Sequence, residues 1–414
     1  METWTLPEGW EWKTIPDVCS INPKRPRIER DDETPTSFVP MQAVDERTGT
    51  IADMQTRPYG EVRRGYTYFE ENDVLMAKIT PSMENGKAAI ARNLIDGIGF
   101  GTTEFHVFHP HSNILPEWIF YFIRRETFRE RAKMSFRGAV GQQRVPEDFL
   151  VNQEIPIPYP DDPARSLAEQ RRIVARLEAM LSEVRALRDL LQSMRRDWSA
   201  LIESALAEVF PSHGQALPEG WEMVALGNTC DISIGKTPPT SRTEYWGGAH
   251  TWVTIADMDS RIVTRSQRTI TDKAIQDNRA RLVKKGTLLM SFKLTIGKLA
   301  FAGKDLYTNE AIAALEIKSE YTGVLSYDYL YWVLQAVPLE TEASLAVKGK
   351  TINQKTMRNI HFPLPPLAEQ RRIVAYLGAV QEEVNAARRQ VEEDERRVMQ
   401  LEQSILAAAF RGEV

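Results

Sequence analysis

The chain has 414 residues, 42% of them hydrophobic and 26% charged, with a formal net charge of −5 at pH 7. This length and composition are typical of two or three globular domains, and the acidic balance excludes a strongly basic, non-specific nucleic-acid binder. No stretch reaches the ~20 apolar residues of a membrane-spanning helix, and the first residues do not resemble a secretory signal. Cys19 and Cys230 are too few for a disulfide framework or a structural zinc site. We therefore expect a cytoplasmic protein with buried, reduced cysteines.

Residues 1–160 predict a first mixed α/β domain. Phe105–Phe108 is typical of a short strand, and Pro116–Arg131 of an amphipathic helix that begins at a proline. Residues 78–87 (KITPSMENGK) combine proline and Asn-Gly turn chemistry with two lysines and two hydroxyl groups. A second basic loop, residues 136–144 (FRGAVGQQR), is hinged by glycines. Both loops are candidates for a binding surface.

Residues 161–214 predict one long helix. From Ile173 onward, apolar residues are spaced alternately four and three positions apart, which is the heptad pattern of a coiled coil. Ser166 and Glu169 form a predicted N-terminal capping box, and Pro211 ends the helix. The positions that we assign to helix pairing are Ile173, Leu177, Val184, Leu187, Leu191 and Trp198.

The second domain, residues 215–365, repeats the first. The hexapeptide LPEGWE occurs at residues 6–11 and again at 217–222, and the two cysteines keep the same offset of 211 residues. Other pairs with this offset are Gly138 with Gly349 and Gln143 with Gln354. Residues 286–292 predict a strand, and Tyr327–Gln335 predicts the counterpart of the first domain's helix. The simplest explanation is a duplicated domain.

A second long helix occupies residues 366–414 and copies the start of the first. The nonapeptide LAEQRRIVA occurs at residues 167–175 and at 367–375, now with an offset of 200 residues. Asp394 interrupts an otherwise apolar seam, whose pairing positions are Ile373, Leu377, Val384, Val391 and Leu401. Two helices with matching seams predict an antiparallel coiled coil with a pseudo-two-fold internal repeat. The alternative is that each helix packs on its own domain.

We find no catalytic motif in the sequence. Residues 233–237 (SIGKT) end like a phosphate-binding loop, but Cys230 stands where that loop needs glycine, and two prolines follow. Residues 97–101 (GIGFG) continue into a predicted strand instead of the helix that a nucleotide site requires. The six histidines have no HExxH or other metal-ligand spacing. We therefore expect no catalysis by this chain, and no metal or cofactor bound to it.

The loop side chains are candidates for DNA contacts. Lysine and hydroxyl groups commonly bind phosphates, and asparagine and lysine can read base edges in the major groove. Residues 292–298 and 347–355 of the second domain correspond to the two loops of the first. The residues selected in the first domain are Lys78, Thr80, Asn85, Lys87, Thr102, Thr103, Arg137, Gln142, Gln143 and Arg144. Those selected in the second domain are Lys236, Lys293, Thr295, Lys298, Lys348, Lys350 and Gln354.

Together these motifs resemble a known family. The LPEGW opening, residues 78–87, residues 99–105 (GFGTTEF) and residues 295–298 (TIGK) resemble motifs of target-recognition domains. The two LAEQRRIV helix starts resemble the conserved-region helices of the same family, the DNA-specificity (S) subunits of type I restriction–modification systems. The resemblance covers nearly the whole chain, although the second domain lacks the MENGK loop of the first.

The resemblance implies a fold of two tandem α/β target-recognition domains joined by two long helices. Each domain would read one half of a bipartite, asymmetric site in double-stranded DNA. The helices would set the gap between the half-sites and dock two methyltransferase (modification) subunits. S-adenosylmethionine would belong to those partners, and restriction (translocase) subunits would bring ATP and Mg.

Three alternatives remain open. A standalone two-headed DNA-binding regulator needs a more basic surface and its own dimer or effector. A self-contained methyltransferase or methylase–nuclease fusion needs catalytic motifs that we do not find. A coiled-coil scaffold that binds only protein has no reason to repeat lysines and amides in equivalent loops.

Overall fold

The computed structural model describes residues 4–139, 141–212, 214–293, 295–337 and 354–414, without the side chains of residues 196, 197 and 199. The chain divides into two units. Unit 1 comprises Met1–Leu191 with Glu392–Val414, and unit 2 comprises Gln192–Val391. Each long helix therefore contributes residues to both units.

Unit 1 is built from short strands, short helices and the first part of a long helix. Its strands are β1 (Trp10–Thr14), β2 (Cys19–Ile21), β3 (Pro35–Val39), β4 (Gln55–Pro58), β5 (Thr67–Glu70), β6 (Val74–Ala77), β7 (Ala88–Ile90), β8 (Ile98–Gly101), β9 (Phe105–Pro110) and β10 (Glu154–Pro158). Its helices are α1 (Ile15–Val18), α2 (Tyr59–Val62), α3 (Pro116–Arg124), α4 (Glu126–Met134), α5 (Glu147–Val151) and the start of α6 (Pro163–Val209).

Unit 2 has a similar order of elements. Its strands are β11 (Glu222–Ala225), β12 (Cys230–Ile234), β13 (Trp246–Val253), β14 (Ile262–Val263), β15 (Arg268–Ile270), β16 (Leu282–Val283), β17 (Leu288–Ser291), β18 (Leu299–Ala302), β19 (Leu306–Thr308), β20 (Ile312–Ile317) and β21 (His361–Leu364). Its helices are α7 (Leu226–Thr229), α8 (Asp272–Gln276), α9 (Tyr327–Ala336), α10 (Gln354–Arg358) and most of α11 (Leu367–Phe410).

The strand order confirms the duplication. Sheet A has the order β2-β9-β6-β7 in unit 1 and β12-β20-β17-β18-β14 in unit 2. Sheet B has the order β4-β3-β8-β5 in unit 1 and β15-β13-β19-β16 in unit 2. In both copies the two central strands of sheet B are parallel, and a separate pair (β1 with β10, β11 with β21) is antiparallel. The two units therefore share one α/β architecture, with β14 added in the second.

Each unit has a layered core that fixes sheet A between other elements. β6 and β17 are buried at every position, because sheet B covers one face and helices cover the other. In unit 1 the side chains between the two sheets include Val39, Phe69, Leu75, Phe105 and Val107. A further cluster on the outer face of sheet B packs against α2 and consists of Phe38, Tyr59, Val62, Tyr68 and Phe100.

In unit 1, α6 and α11 run antiparallel. Arg188 Nη2 donates to Glu402 Oε2 at 2.7 Å. Val184, one turn earlier on α6, lines a small cavity together with Leu406, one turn later on α11. Residue numbers therefore fall along one helix as they rise along the other, which is the pairing direction that the matching seams predict.

In unit 2 the same two helices meet through their other ends. The Tyr376 hydroxyl donates to Glu208 at 2.8 Å. Leu206 and Phe210 of α6 belong to the same core cluster as Ile373 of α11. The residues that pair the two helices therefore also contribute to the core of the α/β layers. In unit 2 the helices both pair with each other and pack on the domain, so both interpretations of the sequence apply.

Burial along the helices recurs every seven residues. The assigned positions Ile173, Leu177, Val184, Leu191, Trp198, Ile373, Leu377, Val384 and Val391 are all buried. Leu187 and Leu401, which we also assigned to pairing, are instead 42% and 47% exposed. The heptad pattern treats both seam positions as equal. Two helices can enclose one of them fully, however, while the other lies at the rim of the contact.

The repeated LAEQ sequence positions a buried glutamine at the start of each long helix. Gln170 and Gln370 are both 0% exposed. The side-chain oxygen of Gln170 accepts the backbone N–H of Leu115 at 2.9 Å, and that of Gln370 accepts the N–H of Ser326 at 3.0 Å. Each amide group also donates to a carbonyl of the same turn. The motif therefore ties each long helix to the N-terminus of α3 or α9.

Two helix predictions are wrong in detail. The helix expected over Pro116–Arg131 is two helices, because Arg125 has an extended backbone (φ −61°, ψ 138°) that places its buried side chain over the rings of Phe122 and Phe410. The first long helix begins at Pro163, before the predicted capping box. Asp162 accepts the N–H of Arg165 at 3.1 Å and so takes the capping role, whereas Ser166 is buried inside the first turn.

No helix in the described part of the chain has a stretch apolar and long enough to span a membrane.

Candidate nucleic-acid interface

The loop between β6 and β7 (residues 78–87) is held by its own hydrogen bonds. Met83 is buried and anchors its centre, and the Thr80 hydroxyl donates to the Glu84 carboxylate. The N–H of Lys87 donates to the carbonyl of Ser82 at 3.1 Å and closes the loop. A hydrogen bond from Thr80 and an ion pair with Lys133 lower the pKa of Glu84, so that this carboxylate is ionised at neutral pH.

The structure joins the two predicted loops of unit 1. Ile79 and Arg144 form a β-bridge, and the N–H of Thr80 donates to the carbonyl of Gln143 at 3.0 Å. On the other side of the bridge, the N–H of Val145 donates to the carbonyl of Lys78 at 2.9 Å. Four selected residues (Lys78, Thr80, Gln143 and Arg144) are therefore neighbours, although more than sixty positions separate the first two from the last two in sequence.

A bidentate ion pair attaches a third segment to these loops. Arg144 donates from Nε and Nη2 to the two carboxylate oxygens of Glu104 at 2.8 and 2.7 Å. The same ion pair lowers the pKa of the Glu104 carboxyl. The N–H of Glu104 in turn donates to the hydroxyl of Thr102 at 3.3 Å, and the neighbouring Thr103 is exposed. The β8–β9 turn therefore belongs to the same surface.

The far end of the β6–β7 loop faces a different segment. Lys87 Nζ donates to the carbonyl of Met41 at 3.4 Å, and Asn85 Nδ2 donates to Glu46 at 3.2 Å. Both partners lie in the connection between β3 and β4. Asn85 and Lys87 are thus tied to a segment other than the one that holds Arg144.

The remaining two selected residues of unit 1 are in the second loop. Arg137 shares two backbone hydrogen bonds with Arg144, and its guanidinium donates to Asp148 at 2.6 Å. Gln142 is exposed, and its carbonyl accepts from the Arg144 side chain at 3.0 Å. Both side chains are at the surface next to the joined loops.

In unit 2 the equivalent loop joins β17 and β18. The Ser291 hydroxyl donates to the carbonyl of Thr295 and accepts the N–H of Lys298, which closes the loop. Thr295 is exposed, and Lys293 places its ammonium group 5.6 Å from the ring centre of Phe292. Lys293, Thr295 and Lys298 are therefore brought together in one loop.

Lys87 and Lys298 make the same contact in the two units. Lys298 Nζ donates to the carbonyl of Ile255 at 3.2 Å, as Lys87 does to Met41. In each unit this carbonyl belongs to the first residue of a short 3₁₀ turn. The turn follows β3 in unit 1 and β13 in unit 2, which are central strands of sheet B. The two loops differ in sequence and length, yet each has a lysine attached at this point.

Lys236 lies on the sheet B side of unit 2. Its ammonium group donates to the backbone carbonyl and the side-chain oxygen of Asn278, at 3.1 and 2.9 Å, just beyond α8. In unit 1, Arg25 stands 211 positions earlier and donates in the same way to the carbonyl of Arg63, just beyond α2. The ammonium group of Lys236 is thus attached next to α8 and not to the loop that carries Lys293 and Lys298.

The predicted match between Gln143 and Gln354 is wrong, because the structure matches Gln354 with a different residue of unit 1. Gln354 begins α10, as Glu147 begins α5, and the strands that follow pair Pro156 with Trp12 and Pro363 with Met223. Gln354 follows Glu147 by 207 positions and Pro363 follows Pro156 by the same number, so Gln354 corresponds to Glu147. Gln354 Nε2 donates to the carbonyl of Ile232 at 3.3 Å. The selected residues Lys348 and Lys350 lie outside the described residues.

Sequence analysis missed two arginines on sheet B, Arg57 and Arg268. Each lies on an edge strand, β4 or β15, over an aromatic ring. They are 211 positions apart, the offset of the LPEGWE repeat, and a comparison of cations at that offset would have found them.

The site carries cations, amides and hydroxyls but few reactive groups. Burial raises the pKa of Cys19 to about 12 and that of Cys230 to about 11, so both thiols are protonated at neutral pH. Across the residues that the structure describes, no three acidic, histidine or cysteine side chains are grouped as metal ligands would be. The arrangement is suited to binding an anionic, hydrogen-bonding surface such as DNA.

A family model matches both halves of the chain. The model is described as the type I restriction modification DNA specificity domain, and it matches residues 7–192 and 218–393. These two matches cover most of the chain, and each begins close to an LPEGWE motif.

Curated relatives and solved structures agree with the family match. The specificity subunits of the type I restriction enzymes EcoEI and EcoAI from Escherichia coli are 37% and 34% identical over 223 residues. Each match covers 53% of this chain but only 36% of the relative's length. A chain solved in a study of complex assembly and conformational transition of the type I R-M system is 30% identical, with a TM-score of 0.80 over 100% of both chains. The HsdS subunit from Thermoanaerobacter tengcongensis is 29% identical, with a TM-score of 0.57 over 99% of both chains.

Proposed function

Because this chain belongs to the type I restriction modification DNA specificity domain family, we propose that it recognises DNA sequence for a type I restriction–modification complex. Each unit would read one half of a bipartite, asymmetric site in double-stranded DNA. The target would be read from loops that the conserved α/β layers position at the surface.

The observation that carries this proposal is the contrast between the two units. Their sheets have the same strand order, and their helix starts are identical over nine residues. The loops that hold the candidate contacts differ: MENGK in unit 1 has no counterpart in the β17–β18 loop of unit 2. One architecture with two different loop surfaces fits a protein that reads two different half-sites.

We propose that the long helices bind the methyltransferase subunits. Leu187, Leu201 and Leu401 expose 42%, 52% and 47% of their surface, although apolar side chains on coiled helices are ordinarily enclosed. The exposed arginines of the repeated LAEQRRIV sequence also have the same neighbours in both copies, with Glu169 bound to Arg172 and Glu369 to Arg372. A repeated surface would suit two copies of one partner, and restriction subunits would join that complex.

This division of labour leaves the chemistry to the partners. The chain itself would be non-catalytic and would act in the cytoplasm. S-adenosylmethionine would be held by the methyltransferase subunits, and ATP with Mg by the restriction subunits. The acidic net charge of −5 fits this arrangement, since basic partners would supply much of the phosphate contact.

The proposal is tested by isolating the tagged chain with its co-purifying proteins and selecting bound molecules from a pool of random duplexes. We expect two short, unlike sequence motifs at a fixed gap, together with a co-purifying methyltransferase. A single contiguous motif would favour a DNA-binding regulator. The absence of any enriched motif, with partners present, would overturn the proposal.

A further inference from the structure

Arg57 is stacked against the outer face of sheet B in unit 1. Its guanidinium carbon lies 3.8 Å from the ring centre of Phe38. The Phe38 ring is itself packed edge-on by Tyr66, with 4.9 Å between the ring centres. Gln55 accepts hydrogen bonds from Nε and Nη2 of Arg57, at 3.2 and 2.8 Å. The side chain is therefore fixed in position, while part of its N–H edge makes no bond to the protein.

Arg268 also lies over a pair of aromatic rings in unit 2, but the rings differ, and among the described residues nothing corresponds to the hydrogen bonds from Arg57 to Gln55. Its guanidinium carbon lies 3.7 Å from the ring centre of Trp246, and Trp252 packs edge-on against that ring at 4.9 Å. Arg268 lies on β15 and is exposed, whereas Arg57 lies on β4 and is half-buried. Both strands are edges of sheet B. An arginine stacked on an aromatic pair thus lies on an edge strand of sheet B in each unit.

Neither arginine is neutralised by a neighbouring carboxylate. Within the described ranges, the salt bridges of the same units involve other arginines, such as Arg63 with Asp32 in unit 1 and Arg261 with Asp328 in unit 2. An arginine that stacks on a ring without a carboxylate keeps its full charge and loses less conformational entropy when it binds a ligand. Both properties favour recognition of an anionic or acceptor-rich partner.

Resting on the proposed function, we infer that Arg57 and Arg268 are base-reading residues, one for each half-site, and that each recognises a guanine in the major groove. Arginine binds O6 and N7 of guanine through two parallel N–H groups, which is the commonest specific contact in protein–DNA complexes. A ring beneath the guanidinium holds its plane in one orientation, which two parallel hydrogen bonds require. A phosphate contact does not need such a fixed plane, because lysines of flexible loops serve as well.

The test compares base preferences of Arg57→Gln, Arg268→Gln and the unaltered protein, each purified with its partners and offered the same random duplex pool. For Arg57→Gln we expect guanine to lose its advantage at one position of one half-site, by about 5- to 150-fold. The other half-site should keep its preference. Arg268→Gln should show the reverse pattern, so each protein carries an internal control for folding.

Two further variants separate the roles of charge and planarity. Arg57→Lys and Arg268→Lys keep the positive charge but remove the two-pronged donor, so we expect them to lose the same guanine preference. Arg64→Gln and Arg265→Gln alter exposed arginines that are close in sequence to Arg57 and Arg268. They serve as matched controls, and we expect them to retain all base preferences.

Three outcomes would overturn the inference. One is an unchanged guanine preference in both glutamine variants. Another is weakening by the same factor for all sequences, with a salt dependence reduced by about one ion, which would indicate phosphate contacts. The third is full recovery of the preference in the lysine variants. If the unaltered protein selects no bipartite site at all, the proposed function fails first, which distinguishes that failure from these three.

Discussion

Phe410, four residues before the last residue described, packs edge-on against Trp118 with 4.8 Å between the ring centres. Phe410 is 1% exposed and Trp118 is also 1% exposed, so the end of α11 completes the core of unit 1. Phe122 adds a second edge-on contact at 5.4 Å. The last helix is therefore part of the first unit's core as well as of the helix pair.

We expect Phe410→Ala to lower the free energy of unfolding of unit 1 by about 3–5 kcal/mol, because it leaves a cavity beside the rings of Trp118 and Phe122. Hydrogen exchange, followed separately for β6 and for β17, would measure the effect in each unit. Phe210→Ala is the matched variant, since Phe210 packs near Tyr329 in unit 2. Equal effects of Phe410→Ala on both strands would contradict the assignment of this residue to unit 1.

Gln170 provides a second test of the core. Its buried side chain makes three hydrogen bonds, to Leu115, Asn113 and Ser166. Gln170→Ala removes these bonds and leaves a part-buried N–H and a part-buried carbonyl without their partner, which we expect to lower the free energy of unfolding by about 2–4 kcal/mol. Denaturant titration would measure the loss. The exposed neighbour variant Arg171→Ala should change stability by less than about 0.5 kcal/mol, and a similar cost in both variants would refute this role.

His106 predicts how the stability of unit 1 depends on pH. The neutral ring donates from Nε2 to the carbonyl of Val145 at 2.8 Å and accepts from Asn22 at its other nitrogen at 3.1 Å. Burial lowers the pKa of His106 below its usual value of 6.5. The unfolded chain therefore takes up a proton at a higher pH than the folded chain does.

As the pH falls below about 6.5, His106 contributes a progressive loss of stability that stops once the folded-state pKa is passed. We expect the stability difference between the unaltered protein and His106→Gln to shrink from about pH 7.5 to about pH 5.5. Thermal unfolding at a series of pH values would measure it. A constant difference across this range would mean that His106 titrates in the folded protein as it does in the unfolded chain, and a difference that grows towards low pH would mean that the folded ring is charged.

Lys298 and Lys87 predict effects that are confined to one half-site each. Both lysines are attached by a single hydrogen bond to a carbonyl and have N–H donors left for a ligand. Lys298→Ala should weaken binding to duplexes that carry the second unit's half-site, and Lys87→Ala to those with the first unit's half-site, by roughly tenfold. Titrations with duplexes altered in one half-site would separate the two.

Lys284→Ala is the control for these variants, because Lys284 is exposed and paired with Asp305 at 2.9 Å away from the loop. We expect it to leave both half-sites unaffected. If Lys87→Ala weakened binding to both half-sites, the two units would not read them independently.

The sequence predicted features that are repeated or periodic. The duplication followed from identical hexapeptides and nonapeptides, and the helix pair followed from the spacing of residues such as Leu177, Val184 and Leu191. Many residues contribute to each of these patterns, so the pattern is still recognisable when one residue, such as Asp394, departs from it. The α/β character of the two domains was predicted for the same reason.

Features decided by one contact between distant residues escaped prediction. The break at Arg125 exists because its guanidinium meets Phe410, which is 285 positions away in the chain. Ser166 looks like a helix cap in isolation, but Gln170 binds it inside the helix. The stacking of Arg268 on Trp246 likewise requires two strands to be paired first. The DNA contacts themselves, including those selected in the loops, stay predictions.

The division of the chain into units also has a consequence for its synthesis on the ribosome. Unit 2 is one continuous segment, Gln192–Val391, nested between the two parts of unit 1. All of unit 2 is therefore synthesised before the last part of unit 1. Unit 1, although its strands are made first, is complete only after Phe410 and its neighbours have been released. A chain released after Val391 but before Phe410 would thus contain the whole of the later-made unit, while the earlier-made unit would have an open core.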